Sequence, residues 1–159
     1  MDSLQLRDIR AHLKETGNEE LIEIIIRLVK YKKENKELIT FLLEYSDSED
    51  LYIKILQDEI KESFNQLNLR NFYIVKKGVR KILRIAKRYI RYSQSKTVEI
   101  EVLMYFCKCI KTLPEHYFWN NSMIAILHKQ YDLIEKRISM LHEDLAFDYT
   151  AELKEIKEF

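Results

Sequence analysis

Lys77, Arg80, Lys81, Arg84, Lys87, Arg88 and Arg91, with Tyr73 beside them, recur at helical spacing in a stretch without a single carboxylate. Between Glu62 and Glu99 there are ten Lys and Arg and no acidic residue, so any helix formed there is cationic along its length. Concentrated fixed cations attract phosphate, acidic protein or anionic lipid surfaces. The formal net charge of +1 conceals this feature. Residues 1–62 hold fifteen acidic and ten basic side chains, and residues 99–159 hold eleven and seven, so two acidic flanks enclose a basic middle. Asp58, Glu59 and Glu62 are therefore alternative, intramolecular partners. A stripe rich in Arg and Lys with one tyrosine suits backbone phosphate better than base stacking. Nucleic acid thus ranks ahead of an acidic protein as the expected partner.

Carboxylates form a second constellation. In Glu20-x-x-Glu23 and Glu44-x-x-Asp47, each pair shares a helix face. Two such pairs on antiparallel helices can hold hard divalent cations against a triphosphate. The pattern resembles the magnesium-binding signature of the all-α nucleoside triphosphate pyrophosphohydrolases, including dimeric deoxyuridine triphosphatases. The resemblance implies magnesium-dependent pyrophosphate release, with Glu20, Glu23, Glu44 and Asp47 as the metal ligands. The same spacing recurs at Glu59/Glu62, Glu152/Glu155 and Glu155/Glu158, as a helical chain with 26 acidic residues produces by chance. Asp47 also reads as a cap at a helix break. Enzymatic hydrolysis is accordingly the alternative, and a non-enzymatic interaction module without a cofactor is the main expectation.

Other chemistry is thinly represented. His12, His116, His128 and His142 make no zinc spacing with one another or with a cysteine. Cys107 and Cys109 project about 200° apart on a helix, which argues against a shared metal or local disulfide and for buried thiols in a reducing compartment. With only Gly17 and Gly78 there is no glycine-rich phosphate loop.

Two Gly and one Pro in 159 residues leave few breaks, and the apolar spacing is helical nearly throughout. The pattern predicts helices over 4–15, 19–32, about 38–43, 51–67, 72–92, 96–113, from 121 to about 141, and a short one over 150–157. Residues 144–148 read either as a turn or as a continuation. Thr16 and Glu19 are placed as a capping box. The helix from Glu19 is apolar around much of its circumference, which predicts a central position. Pro114 to Asn121 reads as an aromatic loop, with Tyr117, Phe118 and Trp119 either sealing the core or presenting a surface.

Seven or eight helices with short breaks imply antiparallel hairpins. The segment from Asn18-Glu19-Glu20-Leu21-Ile22-Glu23-Ile24 to Leu42-Leu43 resembles a helical hairpin of the HEAT or armadillo sort. The expected fold is all-α: an irregular, solenoid-like single domain over 1–159, with a closed helical bundle as the alternative. The N-terminus lacks a signal-peptide layout and no apolar run reaches membrane-spanning length, so a cytoplasmic location is expected.

On the helix around Val75, the residues Val79, Ile82, Leu83, Ala86, Tyr89 and Ile90 lie within about 80° of one direction. Lys76, Lys77, Arg80, Lys81, Arg84, Lys87, Arg88, Arg91 and Tyr73 take the other side. The resulting cationic stripe is about 22 Å long.

Overall fold

A computed structural model describes residues 3–158, and among them every regular element is a helix. In chain order these are α1 (Leu6–Glu15), α2 (Asn18–Tyr31), α3 (Lys33–Glu44), α4 (Glu49–Asn65) and α5 (Phe72–Ser93). They continue with α6 (Lys96–Lys111), α7 (Glu115–Phe118), α8 (Asn121–Ile138) and α9 (Glu143–Glu158). No helix among the described residues is long and apolar enough to cross a membrane. The chain divides into two compact units, the first ending at Glu44 and the second beginning at Tyr45.

In the first unit α2 packs on α3 across a one-residue connection at Lys32. Asn35 secures the turn by donating from Nδ2 to the carbonyl of Leu28 at 2.7 Å, satisfying one of the open carbonyls at the end of α2. The expected capping box does not form. Thr16 instead turns its hydroxyl back to the His12 carbonyl at 2.8 Å, and Gly17 occupies the N-cap of α2 without a side-chain bond. Nor is α2 central, because neither α1 nor α2 contains a buried residue.

The second unit is organised around α6, which packs against α4, α5, α8 and α9. Its buried residues, Val98, Ile100, Val102, Leu103, Met104, Phe106, Cys107, Cys109 and Ile110, cover about 240° of the helix circumference. Side-chain caps set the starts of its neighbours: Ser48 for α4, Asn71 for α5 and Asn120 for α8 each accept a backbone N–H of the first turn. Residues 144–148 are neither turn nor continuation of α8 but the first turns of α9. The aromatic segment after Pro114 contains the one-turn α7. Tyr117 is buried there and donates its hydroxyl to the Leu69 carbonyl at 2.7 Å, closing the α4–α5 connection, whereas Trp119 is exposed.

Candidate anion-binding surface

Asn71 starts α5 by accepting the Ile74 N–H at 3.0 Å, and Gln94 ends it in the left-handed conformation at φ 54°. Between them Val75, Val79, Ile82, Ala86 and Ile90 are buried, and α5 packs on α4 and α6. Leu83 and Tyr89, expected on the same face, are half-buried at its margins. The four buried Val and Ile side chains stabilise the helix by about 1.5–3 kcal/mol each. That outweighs the like-charge pairs Lys77–Lys81, Arg80–Arg84, Arg84–Arg88 and Lys87–Arg91, which cost about 0.2–0.5 kcal/mol each. The core therefore holds in place a charge pattern that an isolated helix would resist.

The opposite face is not uniform. Tyr73, Lys77, Arg80, Lys81, Arg84 and Arg91 are exposed. Among the described residues no carboxylate forms an ion pair with any of these five cations, and Asp58, Glu59 and Glu62 do not reach them. Lys76, Lys87 and Arg88 are half-buried and differently engaged. Lys76 lies 3.4 Å from the Ser122 hydroxyl and over the Phe72 ring, while the Arg88 guanidinium sits 5.5 Å from the Tyr89 ring centroid. Burial lowers the Lys87 pKa, an effect opposed by the nearby Glu99 carboxylate. Lys77, Arg80, Lys81 and Arg84 border, with Tyr73 and Lys76, an open depression of about 310 Å³ along the helix.

A hollow at the C-terminal end of α5 extends this surface beyond what the spacing within one helix could reveal. Lys87, Arg91, Lys96 and Arg137 line a space of about 560 Å³ with Glu99 as its one carboxylate. Glu99 accepts from Arg137 Nε at 2.6 Å, and Lys96 Nζ reaches the Met140 carbonyl at 3.3 Å. Arg137 comes from α8, forty-six positions after Arg91 in a segment of mixed charge, so no local pattern in the sequence marks it.

The carboxylates of the alternative metal reading fall on different elements. Glu20 and Glu23 lie exposed on α2, Glu44 ends α3, and Asp47 lies in the turn before the Ser48 cap. Among the described residues no three His, Cys, Asp or Glu side chains gather around a point that a metal ion could occupy. The two cysteines are buried free thiols. Comparison with protein-family models, curated proteins and solved structures finds no match, so the surface itself carries the functional argument.

Proposed function

We propose that this chain is a non-enzymatic helical interaction module whose α5 face binds the phosphate backbone of nucleic acid. The observation that carries the reading is the row of Lys77, Arg80, Lys81, Arg84 and Arg91, exposed on one helix and without a carboxylate partner among the described residues. From Lys77 to Arg91 the row extends for about 21 Å at 1.5 Å per residue, long enough to meet several successive phosphates. Tyr73, 73% exposed at the start of the row, is the one aromatic ring placed to stack on a base. Phosphate contacts position a chain without reading its sequence, so binding is weakly selective and electrostatic.

Fluorescence anisotropy with single- and double-stranded oligonucleotides over a salt series tests this reading. With five phosphates engaged, log K against log salt falls with a slope of about −3.5 for single strands and −4.5 for duplex. Replacing Arg80 and Arg84 by Gln reduces the slope by about 1.4 for single strands and about 1.8 for duplex and leaves thermal stability within about 0.5 kcal/mol, because both side chains are exposed. Absence of probe binding at low salt, or a slope that the double substitution does not change, refutes the proposal. Retention of polyglutamate without retention of any oligonucleotide would assign the surface to an acidic protein.

A further inference from the structure

The first unit has almost no core. Phe41 is its one buried hydrophobic residue among those described, while Leu6, Ile9 and Leu13 on α1 and Ile22, Ile25, Ile26 and Leu28 on α2 are all exposed. A unit of this size lies near the limit of about 40 residues below which chains rely on disulfides, metals or association. Both cysteines lie far downstream, and no metal-ligand cluster is present among the described residues. The exposed Ile22, Ile24, Ile25, Ile26 and Leu28 of α2 offer on the order of 400 Å², about half of the ~800 Å² that each partner contributes to a standard interface.

The charges of α2 indicate which partner fits. Glu19, Glu20 and Glu23 occupy its first half, and Arg27 and Lys30 its second. None of these five forms an ion pair with another described residue. Ile22, Ile26, Glu19 and Lys30 share an arc of about 80° on the helix surface. Glu19 and Lys30 are about 16 Å apart along the axis, too far to pair within one helix. In an antiparallel pair centred between Ile24 and Ile25, Ile22 and Ile26 of the two copies interlock, and Glu19 of each copy lies beside Lys30 of the other. That arrangement is self-complementary, as a two-fold interface requires.

We propose that α2 is a homodimerisation surface that pairs antiparallel with α2 of a second copy of this chain. The inference is independent of α5 and of any nucleic acid. Light scattering with in-line chromatography over a protein concentration series is the test. The wild-type protein reaches twice the 19.3 kDa chain mass. Ile26→Glu places two charges in the contact and weakens association about 100-fold or more. Glu19→Lys or Lys30→Glu alone weakens it by about 2- to 30-fold, because each removes two rim pairs.

The double substitution Glu19→Lys/Lys30→Glu restores the dimer. Acidic first turns and basic last turns also complement the helix dipole, and on that account alone the double variant would be worse than either single one. Rescue therefore reports a partner helix. A double variant worse than both singles overturns the proposal, as does a dimer indifferent to Ile26→Glu. A wild-type protein that stays monomeric while Ile26→Glu lowers its melting temperature also overturns it, since the second unit of the same chain would then cover the face.

Discussion

Cys107 shows how one side chain's surroundings replace its ordinary chemistry. The thiol is fully buried in α6, and burial pushes its pKa from 9.0 up to about 12. A thiol of this kind is a packing group rather than a nucleophile or metal ligand. Because the folded pKa exceeds the unfolded one, its contribution to stability is complete below about pH 9 and is lost as pH rises toward 12, where the unfolded chain ionises first. Burial moves Tyr131 in the same direction, also to about 12, and raises Tyr149, whose hydroxyl donates to Glu101. Lys87 and Lys111 act in the opposite sense, since burial lowers their pKa and their cost is relieved as pH rises. Denaturant titrations at neutral pH and at about pH 10 isolate the cysteine: Cys107→Ala loses less stability between the two than wild type does. Equal losses would remove Cys107 from the account.

At the scale of the element, α5 reconciles two demands on one helix. Its apolar side anchors it to α4 and α6, which allows the other side to carry charges that repel one another. Gly78 sits at the margin between these sides, where a Cβ would collide with the Leu67 side chain. Glycine inside a helix is otherwise costly, by about 1 kcal/mol relative to alanine. Gly78→Ala is therefore expected to gain little or lose stability in the wild-type background. In a Leu67→Ala background the same substitution gains about 1 kcal/mol, and chemical denaturation of the four-member cycle measures the difference. An equal effect in both backgrounds would show that Leu67 does not constrain Gly78.

At the scale of the molecule, stability is concentrated in the second unit. Leu103 is completely buried in α6, with four helices around that element, so Leu103→Ala leaves a cavity and costs about 2–5 kcal/mol by denaturant unfolding. A loss under about 1 kcal/mol would contradict the central placement of α6. The first unit has no comparable core, since neither α1 nor α2 contains a buried residue.

Composition and periodicity alone were enough for the all-α class, for the extent of α5 and for its division into a core face and a cationic face. Those features are local: side chains three and four apart meet on one helix, and Asn71 and Ser95 cap their own helices. The number of helices was less legible, because the one-turn α7 lies inside an aromatic loop and α9 begins in an acidic stretch. Tertiary structure alone decided which apolar helix is enclosed. α2 and α6 are both apolar over most of their surface, but only α6 lies among four helices that supply apolar faces. It also separated the stripe into exposed cations and the half-buried Lys76, Lys87 and Arg88, and it brought Arg137 to the end of α5. Those outcomes depend on contacts between segments distant in the chain, which no spacing within a single helix encodes.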